Sequence, residues 1–478
     1  MNSVYIKEKP SSSVVLSLFL LLTLVIYGSL LWWLNFHAAS WEKPKLYSSL
    51  LICCIIPLPL YLHLLRKPKN PVPFKVGILC IVGGLLLFPS FLQTDQLRYI
   101  WDGILLNLGI NPFAYSPQQS IEFLESKPFW HSHINHPELT TVYPPFAQLL
   151  FGFASAINPF FFQTLHQWNG INLTEFVPKI VQQTFWPAEL GWRLILIGFQ
   201  ILLLFTIRHR RWDLVLFHPL FLLTALTNLH LDSVALPLLA LLGFHGMRFG
   251  NPGLQSLIAS LSLLTRWTPA LFLPFWLERW KRFHGKAHMM AGAAGILFLC
   301  LAAILLFHKG SQGNLFASNE TYLKHWLFFG FVHRFLYDFM ILLKISGDLI
   351  FYAKSICLFL FILSYGYVIY LWRQKILSTG LASYLIYLFF LAGLPTLHPW
   401  YLLPLLVLGL PYVRVLQTVW AWPLLSLGSY CYYMYDKDLP WVRYSIYLIV
   451  LSLILRDLSK VHFWRSLNQR KLSLSLPN

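Results

Sequence analysis

Only 18 of the 478 residues are Asp or Glu, so each carboxylate has few rivals for acid–base work. Seven of them, Asp95, Asp102, Glu122, Glu125, Glu138, Glu175 and Glu189, fall between Gln93 and Glu189. The densest polar string is Thr94-Asp95-Gln96-Leu97-Arg98-Tyr99-Ile100-Trp101-Asp102-Gly103. It follows directly on an apolar run, which puts Asp95 where lipid and water would meet. Partial desolvation there raises a carboxylate's basicity and suits a general base. Arg98 is placed to pair with Asp95 or to hold a phosphate by its fork of donors. The blander reading has Asp95 capping the next helix and Asp102 anchoring a turn.

Further along, Asn135-His136-Pro137-Glu138 and Thr141-Val142-Tyr143-Pro144-Pro145 form a second polar stretch. His136 and Glu138, with Tyr143 nearby, fit acceptor hydroxyls or a metal, and equally fit loop backbone. His131, His133 and His136 have loose ligand-like spacing, but no acidic or Cys partner is fixed. No metal site is therefore assigned, and no cofactor is required, although a divalent cation is compatible. His230 and Asp232, in Asn228-Leu229-His230-Leu231-Asp232, sit at a turn between apolar runs, where they are costly unless paired or facing a cavity. Arg266 in Arg266-Trp267-Thr268-Pro269 breaks an apolar hairpin and reads as a phosphate clamp or as a snorkelling cation. His325 with Trp326, and His398-Pro399-Trp400-Tyr401, complete the candidates.

The elements that must position these residues are apolar helices. The chain is 57% hydrophobic and 11% charged, against about 25% charged in soluble domains. Lys and Arg outnumber Asp and Glu 36 to 18. The basic residues sit in short clusters between apolar runs, as in the positive-inside pattern, and not in the single stripe a nucleic-acid partner needs. The six cysteines lie in or beside apolar runs with no CxxC pair, so they read as packing residues. The clusters Arg66-Lys67-Lys69-Lys75 and Arg208-Arg210-Arg211 both mark the cytoplasmic side, as does the N-terminus. Residues 93–189 then form a large extracytoplasmic loop, with a juxtamembrane helix from Pro144 to Phe162 lying in the outer interface. Crossings are expected near 14–36, 48–65, 76–92, 190–207, 213–228, 234–247, 253–265, 269–280 and 288–307. A second external loop covers 308–349, and further crossings lie near 350–371, 380–396, 402–413, 417–435 and 441–456. The expected fold is all-α: one integral membrane domain over residues 1–478, a multi-pass bundle of about fourteen helices, several shorter than the ~20 residues a straight span needs. The sequons at Asn172 and Asn319 fall outside.

The string Asp95-x-x-Arg98-Tyr99-x-Trp101-Asp102-Gly103, followed by Gly109-Ile110-Asn111-Pro112-Phe113-x-Tyr115, resembles the first external loop of GT-C glycosyltransferases. The nearest likeness is to polyprenol-phosphate-mannose-dependent mannosyltransferases of the family 87 type. Asn135-His136-Pro137-Glu138, Tyr143-Pro144-Pro145, Arg266-Trp267-Thr268-Pro269 and His398-Pro399-Trp400-Tyr401 are similar to later motifs, so the likeness runs from about residue 93 to 405. It implies inverting transfer of a hexose from a polyprenyl-phosphate-sugar to a lipid-linked or glycan acceptor, in the plasma (inner) membrane if the host is bacterial. Asp95 would take the acceptor's proton, and Arg98 or Arg266 would steady the lipid phosphate. The chain departs from the family in having Gln96 where a second acid is common, Arg266 where Lys is commoner, and Phe328 where Asn is commoner. The rival reading is a lipid or sugar transporter or flippase, which also uses broken helices and buried charge. No matched pair of halves supports it.

Overall fold

The computed structural model describes residues 22–23, 25–31, 55–67, 72–90, 94–123, 128–158, 185–245, 251–311, 316–429 and 440–474. The expected first helix near 14–36, the start of the second, the end of the interfacial helix and the Asn172 sequon lie largely or wholly outside them.

The described residues are helical throughout, with isolated bridges from Phe328 and Phe329 to Thr396 and no strand. The helices used below are α1 (Leu58–Arg66), α2 (Phe74–Leu87), α3 (Asp95–Asn107), α4 (Pro145–Ala156), α5 (Trp186–Ile207), α6 (Asp232–His245), α7 (Pro252–Thr265), α8 (Leu273–His284), α9 (Lys286–His308), α10 (Ala317–His325), α11 (Phe331–Leu342), α12 (Leu349–Arg373) and α13 (Thr379–Gly393). Among the described residues three helices, α5, α9 and α12, are long and apolar enough to cross a membrane. They coincide with the expected crossings at 190–207, 288–307 and 350–371. A fourth span arises if Pro219–Thr227 and Asp232–Gly243, bent by 117°, count as one. The windows at 76–92, 380–396 and 402–413 hold shorter apolar helices. Pro at helix starts and the π-helical turn at Leu222–Thr227 account for the shortening.

The site rests on a tightly packed trio, α3, α4 and α5. Gly103 of α3 lies against the Phe151 carbonyl of α4, and Gly191 of α5 against the Ala154 carbonyl of the same helix, with no space for a Cβ at either. Polar bonds lock the contact: Ser155 Oγ donates to Ile100 O at 3.2 Å, Asn107 Nδ2 to Gly152 O at 3.0 Å, and Asn158 Nδ2 to Ala188 O at 2.7 Å. Backbone meeting backbone cannot yield as a flexible side chain can. Gly103→Ala is therefore expected to cost about 1–3 kcal/mol, read as a lower melting temperature of the detergent-solubilised protein. An unchanged melting temperature would mean that α3 and α4 separate freely.

A second lock joins the end of α2 to the start of α3. Glu189 and Arg193, both fully buried on α5, pair at 2.5 Å. Arg193 Nη1 donates to the carbonyls of Leu85 (2.5 Å) and Phe88 (2.8 Å), ending α2. Glu189 Oε1 accepts from Ser90 Oγ and, at 3.1 Å, from Gln96 Nε2, the residue beside Asp95. Breaking such a pair strands a buried charge. Glu189→Ala is expected to lower stability by about 3–5 kcal/mol, with the double variant Glu189→Ala/Arg193→Leu recovering part of it in the same unfolding assay.

Candidate functional site

Helix α3 presents Asp95, Arg98, Tyr99 and Asp102 at spacings of three, four and seven, so one face carries all four. Asp95 is at the open end. Its Oδ1 accepts from Asn135 Nδ2 at 3.2 Å, and its Oδ2 lies 3.4 Å from His230 Nε2. The other nitrogen of that ring, Nδ1, lies 2.8 Å from Asp232 Oδ2, and the same oxygen accepts from Arg266 Nη2 at 2.6 Å. The result is one continuous file, carboxylate–imidazole–carboxylate–guanidinium, assembled from four separate parts of the chain. Side-chain exposure rises toward its ends: 24% at Asp95, 2% at His230, 7% at Asp232 and 19% at Arg266.

Aromatic rings hold the file in place. His230 packs on Trp400 at 4.3 Å, Trp400 stacks on His398 at 4.4 Å and 5°, and His398 stacks on Phe328 at 4.7 Å. Arg266 lies over the rings of Tyr143 (5.9 Å) and Tyr401 (5.8 Å), within cation–π range. Tyr401 is pinned in turn by its hydroxyl contact with Tyr322 at 3.0 Å and by Tyr387, which donates to its carbonyl at 2.7 Å. Tyr99 stacks on Phe151 at 4.7 Å and accepts from the Leu231 N–H at 3.4 Å, supporting the turn that carries His230. The bridge between 326–329 and 395–397, with Thr396 Oγ1 donating to Trp326 O, ties the segment after α10 to the His398 segment.

Backbone strain collects here. Among the described residues five non-glycine residues have positive φ, and three of them, His136 (50°), Leu229 (54°) and Phe329 (47°), directly adjoin Asn135, His230 and Phe328. Strained conformations persist where the surroundings over-determine them, commonly at functional sites.

Several expected site residues do not join the file. Arg98 does not meet Asp95: its Nε donates to Asp102 Oδ1 at 2.7 Å, one helical turn on, and Asp102 also accepts from Gln148 Nε2 at 3.4 Å. Both are buried, so this pair braces α3 against α4 and does not face the open end of the site. Trp101 turns to the opposite side of α3, donating to Ser120 Oγ at 3.0 Å and packing on His131 at 4.4 Å. His136 and Glu138 face solvent and pair with each other at 3.4 Å, leaving the contact with Asp95 to Asn135. His325 is exposed at the end of α10, and its neighbour Trp326 makes the ring contact, with His136 at 4.3 Å. Asn135, Tyr322 and Tyr387 belong to the site without any mark in the sequence. Their neutral or aromatic side chains carry no signal above that of a membrane-interface belt.

The electrostatic expectation for Asp95 is also reversed. Burial pushes its carboxyl up, but the hydrogen bond and charge of His230, with Asn135 and His398 adding to them, outweigh burial and hold it below the usual carboxylate range. His398 goes the other way from a free imidazole: burial pushes it down to about 3, so the stacked ring is neutral at physiological pH. Among the described residues no group of three or more His, Cys, Asp or Glu side chains is arranged to hold a metal ion.

Fold and site together define an all-helical protein whose apolar helices can span a membrane and whose buried charges converge on one acid. No protein family, curated protein or solved structure matches the chain.

Proposed function

We propose that the chain is a multi-pass membrane glycosyltransferase of GT-C type, moving a hexose, mannose by the resemblance, from a polyprenyl-phosphate-sugar to a lipid-linked or glycan acceptor. In this reading a bundle of about fourteen crossings sets the file of charges at the extracytoplasmic surface. Asp95 removes the acceptor's hydroxyl proton. The acceptor oxygen attacks the anomeric carbon from the side opposite the phosphate, the bond from that carbon to the phosphate oxygen breaks, and the configuration inverts. The electron pair leaves with the lipid phosphate, whose growing charge Arg266 stabilises. The observation that carries this reading is the chain of contacts that holds a part-exposed carboxylate at one end and a part-exposed guanidinium at the other. An acid to accept a proton and a cation to receive an anionic leaving group are the two fixed charges that inverting transfer requires.

The direct test uses the purified protein in lipid nanodiscs with a panel of radiolabelled polyprenyl-phosphate sugars. Release of free lipid phosphate together with label in a glycan or in water is the expected result. No turnover of any lipid-phosphate sugar, in protein that melts cooperatively, would reject the assignment and favour a carrier.

A further inference from the structure

We infer that Asp232 and His230 are positioning residues that wire the anion seat at Arg266 to Asp95, so that the base gains its full strength only once a phosphate is seated. The inference rests on the proposed function above and goes beyond it, because it assigns these two residues no contact with substrate.

The contacts run in series: Arg266 Nη2 to Asp232 Oδ2 at 2.6 Å, the same oxygen to His230 Nδ1 at 2.8 Å, and His230 Nε2 to Asp95 Oδ2 at 3.4 Å. Asp232 and His230 are both buried, so neither charge nor hydrogen bond can be made up by solvent. Arg266 also holds its Nε buried without a hydrogen-bond partner, a donor left over for an anion. A phosphate arriving at this guanidinium shares the charge that Asp232 had to itself. The Asp232 carboxylate then presents more of its charge to its other partner, Nδ1 of His230, which also accepts from the Asp232 N–H at 3.3 Å. Contacts in a file polarise one another: more negative charge at Nδ1 makes Nε2 a poorer donor. Asp95 thereby loses part of what stabilises its ionised form and becomes a stronger base. No proton leaves His230 in this scheme; the proton taken from the acceptor stays on Asp95.

The arrangement resolves a difficulty. A carboxylate held below its usual range is a weak base at rest, and in this scheme its base strength rises only with the donor phosphate in place. The other groups facing Asp95 are Asn135, His398, Tyr99, Tyr143 and Tyr401. His398 and the three tyrosines act on Asp95 through charge, whereas the Asp232–His230 path joins the two ends by ion-pair contacts in series.

A bound phosphate also acts on Asp95 directly through space, and the experiment must separate the two effects. Carbodiimides modify protonated carboxyls, so the rate of Asp95 modification against pH, with Asp95→Asn as blank, reports its titration in the whole protein in nanodiscs. The probe is farnesyl phosphate at saturation. In the wild type it is expected to move the midpoint up by about one pH unit, a tenfold change in proton affinity. In Asp232→Asn and in His230→Gln, which keep side-chain volume and some hydrogen bonding, the movement is expected to fall to less than half. Coupling is reciprocal, so Asp95→Asn, which fixes that position neutral, is expected to bind farnesyl phosphate several-fold tighter than wild type. An equal shift in the wild type and both variants would leave only the through-space field and overturn the wiring. Farnesyl phosphate that binds without moving the wild-type midpoint overturns it as well. Failure of the wild type to bind farnesyl phosphate would remove the phosphate seat, and with it the proposed function.

Discussion

Asp95→Asn is expected to reduce sugar transfer by at least 10²–10⁴-fold while leaving the amount of protein and its melting temperature near wild type. The substitution keeps the shape of the side chain and one of the two acceptor oxygens that face Asn135 and His230, but an amide cannot take the acceptor's proton. Binding of farnesyl phosphate, retained and tighter than in the wild type, serves as the control, because that ligand needs Arg266 and not the base. The pH profile sharpens the test. With its folded value depressed by the hydrogen bond and charge of His230, Asp95 stays ionised in the resting protein to lower pH than an ordinary carboxylate. The acid limb of kcat/KM, which reports the free enzyme, is therefore expected below the usual carboxylate range, and that of kcat, which reports the donor-bound state, at higher pH. The same depression adds stability that is present above the unfolded carboxylate value and lost as pH falls through the folded one. His230→Ala removes the first of the partners that oppose burial. Its kcat/KM limb is expected to move up in pH, not down. Full transfer by Asp95→Asn would end the assignment of this residue as base.

The sequence made some of this site legible for a plain reason. In a chain so short of charge, a carboxylate, histidine or arginine inside an apolar stretch is costly unless it is paired, and Asp95, His230, Asp232, Arg266 and His398 do converge. What it left open was the pairing. Arg98 has Asp95 three residues before it and Asp102 four residues after it, and both spacings bring side chains together on a helix; only the packing of α4, with Gln148 against Asp102, decides between them. The same limit hid the inversion at Asp95: position relative to an apolar run shows the desolvation, but His230 and Asn135 come from distant segments. Trp101 is one residue before Asp102 yet faces away, because neighbouring positions on a helix point about 100° apart. Helix number was read from hydropathy windows, which do not register the breaks at Pro219, the π turn and Pro399. Those breaks leave three or four helices of full spanning length among the described residues where the windows suggested many more.

Arg266 carries the second large effect, and its two substitutions separate two causes. Arg266→Ala leaves the Asp232 carboxylate buried with only His230 beside it, at an expected loss of about 3–5 kcal/mol in stability. A fall in activity of that variant alone would therefore be ambiguous. Arg266→Lys keeps a positive charge against Asp232 and is expected to fold, but an ammonium cannot hold Asp232 and a phosphate oxygen at once with the fixed fork of a guanidinium. Its apparent KM for the lipid-phosphate sugar is expected to rise about tenfold, the loss of roughly one charged hydrogen bond, with the acceptor KM little changed. The double variant Arg266→Ala/Asp232→Ala completes the cycle: removing both charges is expected to cost less stability than Arg266→Ala alone, while donor use stays impaired. A lysine variant with unaltered donor KM would show that the guanidinium serves Asp232 and nothing else, and would leave the leaving group without its cation.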